Sequence, residues 1–266
     1  MDIQFLQTVF QKADQVIDIK NISSEDMVAL RVPASEQVRL RHSISCQKQK
    51  VYVQVQERAT CILTSEDMNL EFLDTNYEVE FVIVLEQFAK LQLFFSSLSL
   101  PYVSYTVSVY LQGNSSQAEI HGLYALNKDQ KVSIKTYQYH NGADTKSNLV
   151  IKGMLKDCAR ASYQGLIKID ESAQAADAAQ ENKNIVLSKE AKVVSIPSIE
   201  VLQHDVQCCH GSAIGNFEDT HIWYLQSKGL TKEQSYTLLI KSFFQDVLSG
   251  TSHKEKIEES ICEKML

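Results

Sequence analysis

The sequence predicts an all-β solenoid core that ends in a helical region. Three observations carry that expectation. From residue 28 onward, short apolar bursts with period-two alternation recur at spacings of roughly 20 to 28 residues. Glycine is scarce, 9 residues in 266, and Asn141-Gly142 is the lone Asn-Gly hairpin signal, so an antiparallel meander would lack its turns. After Gly215 the apolar period changes from 2 to 3.6. The alternation alone also fits a face-to-face sandwich.

In chain order, residues 3–17 place Leu6, Val9, Phe10, Ala13, Val16 and Ile17 at helical spacing, which predicts a short amphipathic helix within an N-terminal segment, 1–27. Ser23-Ser24-Glu25-Asp26 marks a loop. The β core is expected over 28–214. Its strand bursts include Val51-Tyr-Val53-Gln-Val55, Val79-Glu-Phe81-Val-Ile83, Tyr105-Thr-Val107-Ser-Val109 and Gly165-Leu-Ile167-Lys-Ile169. A C-terminal helical region fills 215–266. Its first helix runs from about Glu218 to Ser227 and stops at Gly229. Thr231-Lys-Glu-Gln234 has the form of a capping box. The helix behind it carries Tyr236, Leu239, Ile240, Phe243, Phe244, Val247 and Leu248 on one face, read first as packing on its own domain. A last helix over 254–266 points Ile257 and Ile261 inward.

A net charge of −7 disfavours non-specific nucleic-acid binding, which needs a basic face. The N-terminus lacks a basic region followed by a long apolar run, and Phe81-Val-Ile-Val-Leu85 is far too short to span a bilayer. A cytoplasmic protein without a membrane partner is the expectation. Its six cysteines should then be mostly free thiols, with Cys46, Cys61 and Cys158 buried in strand-like surroundings. His121 reads as half-buried strand packing. His42, His140, His204, His221 and His253 read as surface residues, and adjacent acids such as Glu66-Asp67 as solvated loop. Nucleophile elbow, phosphate-binding loop and dinucleotide fingerprint are all missing from the sequence, so a non-enzymatic protein is expected.

The densest chemistry is Val206-Gln-Cys208-Cys209-His210. On a strand, Cys208 and His210 share one face with Val206, and Cys209 takes the other. One thiolate and one imidazole reach a single metal centre but do not fill it, because tetrahedral zinc or an iron–sulfur cluster needs about four ligands. The remaining ligands would come from another rung, another subunit or the cargo. The plainer reading makes both cysteines semi-core thiols and His210 a helix-turn cap.

These residues also resemble a known family. Ala118-Glu-Ile-His-Gly-Leu-Tyr124, Asp157-Cys-Ala-Arg-Ala-Ser-Tyr-Gln-Gly165 and Ile196-Pro-Ser-Ile-Glu-Val201 are similar to segments of the SufB/SufD iron–sulfur assembly proteins. Asp205-Val-Gln-Cys-Cys-His-Gly-Ser-Ala-Ile-Gly215 with Ile222-Trp-Tyr-Leu-Gln-Ser-Lys-Gly229 is the most specific segment, and the resemblance covers residues 105–250. Gly211 after the histidine is SufD-like, where SufB has a glutamate. Ala191 stands where SufB carries a cluster-assembly cysteine. The resemblance implies a right-handed parallel β-helix with helical ends. It implies a scaffold that pairs with a SufB-like subunit or a second copy and docks a SufC-type ABC ATPase on its C-terminal helical region. It implies that His210, with Cys208, lends ligands to an iron–sulfur cluster held transiently at the shared interface. A β-helix carbohydrate-active enzyme and a structural partner without metal are the alternatives.

Overall fold

The computed structural model describes residues 7–8, 16–19, 27–44, 47–67 and 76–266. Sixteen strands among them form two parallel eight-stranded sheets. The first sheet takes β1 (Gln7–Thr8), β3 (Met27–Val32), β5 (Lys48–Val55), β7 (Asn76–Leu85), β9 (Tyr102–Leu111), β11 (Lys131–His140), β13 (Arg160–Ile169) and β15 (Lys192–Val201). The second takes β2 (Val16–Ile19), β4 (Gln37–Ser43), β6 (Thr60–Glu66), β8 (Lys90–Ser97), β10 (Gln117–Leu126), β12 (Lys146–Leu155), β14 (Ala176–Val186) and β16 (Val206–Gly215). Odd strands stack only on odd strands and even on even, always in parallel. Each turn of chain therefore supplies one strand to each sheet, which is a β-helix and not a sandwich.

The early turns match the spacing of the apolar bursts and the later ones exceed it. Gln37 pairs with Thr60, an offset of 23 residues, Tyr102 with Lys131, an offset of 29, and Arg160 with Lys192, an offset of 32. The corners explain how so few glycines suffice. Ser35, Arg58, Phe88, Ser115, Lys128, Asp144, Asp157 and Ala175 each take the left-handed conformation that glycine usually supplies. Several of them gain a hydrogen bond to the next turn: Arg58 N–H donates to Gln87 O, Phe88 N–H to Asn114 O and Asp144 N–H to Gln174 O, at 2.9, 3.0 and 2.8 Å. Stacking with the neighbouring corner offsets the strain of a single αL residue.

In the strands from β4 onward, alternate side chains enter the lumen. In β5, β7 and β9 these are apolar: Val51, Val53, Phe81, Ile83, Val107 and Val109 are all buried. Toward the C-terminal end the same columns turn polar. Val109 is followed by Gln138, Leu111 by His140 and Val107 by Thr136. Leu149 is followed by Gln180 and Ile151 by Asn182.

The N-terminal helix expected over 3–17 is corrected where that stretch is described: Gln7–Thr8 and Val16–Ile19 are strands. Val16, Ile17 and Ile19 are β-branched, and Val16–Ile19 pairs in parallel with Arg39–His42, a partner that local spacing does not reveal. The rest of that stretch, the expected loop at 23–26 and Cys46 lie outside the described residues. Cys61 is buried as expected, but Cys158 is exposed, because it follows Asp157 in a corner. His42 and His140 are buried, not on the surface. Asp67 is buried too, accepting from the backbone N–H groups of Leu98, Ser99 and Leu100 at 2.8, 2.9 and 3.2 Å.

The helices are α1 (Asp219–Ser227), α2 (Lys232–Phe244) and α3 (Lys254–Met265). The capping box opens α2: Thr231 accepts from Gln234 N–H, and the Gln234 side chain accepts from Thr231 N–H at 2.8 Å. α2 stops at Phe244, short of the expected Gly250, and a 3-10 turn over Val247–Gly250 follows, capped by Asp246. Ile240, Phe244, Val247, Leu248, Ile257 and Ile261 pack on the outer face of the second sheet against Phe94, Leu123, Ala125 and Met154. Each such side chain contributes about 1.5–3 kcal/mol of transfer free energy. Lys152, mostly buried, fastens the layer through Asp246 at 2.7 Å and Phe243 O at 2.8 Å. Among the described residues no helix is long and apolar enough to cross a membrane.

Candidate functional site

β15 and β16 are the last strands of their sheets, so nothing among the described residues pairs with their outer edges. Their backbone N–H and C=O groups on that side form an open template. The apolar residues around the edge are unusually exposed: Val194 at 54%, Ile196 at 50% and Ile214 at 53%. Ser212 Oγ donates to Ser195 Oγ at 2.9 Å and ties the two sheets together across this last rung.

The thiol–imidazole pair stands on that rung. β16 lies in register on β14, with Cys208 beside Ala178 and His210 beside Gln180. Ala178 and Gln180 are buried lumen residues, so alternation turns Cys208 and His210 to the same side. Cys208 is half-buried against the cluster of Ile167, Ile169, Ala173, Ala176 and Ala178. His210 has the same orientation but is exposed, because no further rung among the described residues covers it. Cys209 faces the other way, beside Ala179, and is exposed. The expected division of faces is therefore present. His210 lies inside a strand and caps no helix.

Burial raises the Cys208 thiol above its ordinary value, and the neighbouring Cys209 adds to the rise. The resting thiol is thus protonated near neutral pH, and it becomes a good ligand when a cation draws off its proton. Among the described residues no three His, Cys, Asp or Glu side chains are grouped to hold a metal ion. Cys208 and His210 supply one soft and one borderline donor, half of a tetrahedral shell. Two donors alone do not hold a metal ion.

Two features escaped the sequence reading. On α1 only Ile222 is buried, leaving Trp223 and Tyr224 exposed at 65% and 62%. The available signal was the run Ile222-Trp223-Tyr224, two adjacent aromatics directly after one isoleucine. The second is a groove on the outer face of the second sheet, lined in part by Lys90, Gln92, Glu119, His121, Lys146 and Asn148. There Glu119 accepts from Asn148 at 2.9 Å and lies 3.0 Å from His121 Nε2. The His121 hydrogen bond is the largest influence holding the Glu119 carboxyl below its usual range. His121 is partly buried there, as expected.

The chain is thus a parallel β-solenoid with a helical layer on one sheet and a thiol and an imidazole on its open last rung. Residues 36–243 match the family model of the SufBD core domain of the SUF system for FeS cluster assembly, and the chain belongs to this family. It is 30% identical over 139 residues to the iron-sulfur cluster assembly protein SufD of Escherichia coli K12, spanning 52% of this chain and 33% of that protein. It is 30% identical over 155 residues to a SufBD family protein of Mycobacterium leprae, spanning 55% and 40%. To SufD of Bacillus subtilis it is 26% identical over 139 residues, spanning 52% and 32%. Within the family the chain is SufD-like. It spans between 32% and 40% of the length of these three relatives.

Proposed function

We propose that this chain is a non-enzymatic scaffold in iron–sulfur cluster assembly and that its last rung is half of a shared assembly site. A SufB-like subunit, or a second copy, adds strands to the free edges of β15 and β16. Val194, Ile196 and Ile214 are covered in the process, and backbone hydrogen bonds supply the register. His210, with Cys208, lends ligands to the nascent cluster, and the partner supplies the remainder. A SufC-type ATPase docks on the helical region, with Trp223 and Tyr224 as aromatic anchors of the kind that dominate interfaces. Its ATP-driven movement opens and closes the shared site. The observation that carries this reading is the coincidence of an unpaired, apolar edge with a two-donor ligand set on one strand.

The test is anaerobic reconstitution with a SufB-like subunit, a SufC-type ATPase, iron and sulfide, following visible absorbance and bound iron. His210→Ala should leave complex assembly intact and reduce cluster yield several-fold. Undiminished cluster formation by His210→Ala would reject the ligand role, and failure of the three chains to co-purify would reject the scaffold role.

A further inference from the structure

The lumen below the last rung holds a polar pair that the proposed cluster site does not use. Gln138 on β11 and Gln180 on β14 are 0% and 1% exposed. They face each other from opposite sheets in adjacent turns, and Gln138 Nε2 donates to Gln180 Oε1 at 3.5 Å, a long contact. The other two amide atoms, Gln138 Oε1 and Gln180 Nε2, have no partner. Reassigning the amides does not remove the problem. Turning one of them sets donor against donor or acceptor against acceptor, and turning both exchanges the unpaired atoms. Every consistent assignment leaves one buried donor and one buried acceptor unpaired, an arrangement that folded proteins rarely tolerate.

Room for the pair comes from a glycine. A Cβ on Gly165 would stand 2.5 Å from Gln180 Oε1 and 2.3 Å from the Tyr163 hydroxyl. Thr136 Oγ1 and the Tyr163 hydroxyl, 3.0 Å apart, lie on the same side and satisfy each other. Apolar side chains fill these columns one turn earlier, as Val107 and Val109 do. Replacing them with amides, a hydroxyl and a glycine puts polar atoms, two of them unpaired, where apolar side chains would pack.

We propose that Gln138 and Gln180 form a binding site for one small molecule that both donates and accepts a hydrogen bond, and that in the protein alone this molecule is water. An acceptor-only anion would satisfy the amide N–H and leave the carbonyl bare; a donor-only cation would do the reverse. Water satisfies both and is the smallest molecule that does so. The bound molecule forms part of the floor one turn beneath His210, because Gln180 is the register partner of that histidine. The site does not depend on the cluster role proposed above.

The decisive experiment is a crystal structure of the unaltered chain at a resolution that shows solvent. An ordered peak within about 3 Å of both amides is expected. Amides paired with protein groups and no peak between them would overturn the proposal. Thermal unfolding of Gln138→Met, Gln180→Met and the double variant provides a second reading. Each single change strands the other amide and should lower Tm by about 5 °C. The double variant removes both polar groups and should lose clearly less than the sum; a loss equal to or above the sum would also overturn it. A single variant too unstable to purify leaves the crystal structure as the deciding measurement.

Discussion

The middle turns and the last three turns of this solenoid are built on the same backbone plan and filled in opposite ways. Around β7 and β9 the lumen is a stack of buried valine, isoleucine, leucine, phenylalanine and tyrosine. From β11 to β16 the continuing columns hold Thr136, Gln138, His140, Gln180, Asn182 and finally His210. Parallel in-register stacking does not require apolar side chains everywhere; it requires that each be satisfied by its neighbours above, below or across. The middle turns meet that condition by dispersion and exclusion of water; the end turns meet it by hydrogen bonds that stop at an open rung, save at the unpaired amide atoms of Gln138 and Gln180. Under the proposed function the difference separates stability from function: the dry turns hold the coil together, and the wet turns leave chemistry at its edge.

The comparison is broken most directly by truncating the dry region. Phe81 is fully buried and meets the His42 ring edge-on, with centroids 5.3 Å apart. Phe81→Ala should cost about 3–5 kcal/mol, measured by urea unfolding. A loss below about 1 kcal/mol would mean that the middle of the coil is not where its stability lies.

Two buried histidines, one in each region, sharpen it through pH. Burial pushes both His42 and His140 down to about 4. His42 hydrogen-bonds Ser65 at 2.9 Å, and His140 is held by Thr145 and Ser147 at 2.9 and 2.8 Å. Each stays neutral in the fold but takes up a proton on unfolding below its ordinary value of 6.5. Their stabilisation is therefore complete above pH 6.5 and is lost as pH falls from 6.5 toward about 4. Each site is worth about 3 kcal/mol at its full extent. Denaturant unfolding across that range should show stability falling with a slope of about two protons, reduced to about one in His140→Gln. A flat profile would mean that these side chains are already accessible to protons.

Much of this architecture was legible in the sequence, and the parts that were not share a cause. Period-two bursts gave away the strands, and the shift to 3.6 after Gly215 gave away the helices, because both signals lie within a few residues of chain. Burial of His42, His140 and Asp67 was illegible, since their partners or cover come from other turns, as with Asp67 and the backbone of Leu98. The corners hid in the same way: Arg58 and Phe88 carry no turn signature, and their left-handed backbone is held by carbonyls of the next turn. At the candidate site the facing of Cys208 and His210 followed from alternation alone. That the strand carrying them is the last, with an unpaired apolar edge, depends on which strands find partners, which no local pattern encodes.

A third test asks how finely the wet region is fitted. Gly153 and Gly165 both face the lumen across the dry–wet boundary. At Gly153 a Cβ would stand 2.1 Å from the Tyr124 ring and 2.5 Å from Asn184 Oδ1, which accepts from the Tyr124 hydroxyl. Ring and amide are both locked in place, so Gly153→Ala should cost about 1–3 kcal/mol. Near-UV circular dichroism should report a displaced tyrosine. An unchanged spectrum and midpoint would show that the polar turns repack freely.

The smallest effect on stability is expected where the largest effect on assembly is. Ile196 lies on β15 at 50% exposure, with its side chain on the outer face and the free strand edge beside it. Ile196→Lys removes little buried area, so the midpoint of unfolding should move by no more than about 0.5 kcal/mol. The same charge placed on the free edge has to be desolvated if another chain adds a strand there, a device by which edge strands resist pairing. Under the proposed function the variant should fold and unfold like the parent yet lose the SufB-like subunit in co-purification. A SufC-type ATPase, docking on the separate surface around Trp223, should still be retained. Loss of both partners together would mean that the two surfaces are not independent. Retention of both would mean that the open edge is not where the subunits meet, and the division between a structural middle and a functional end would have to be redrawn.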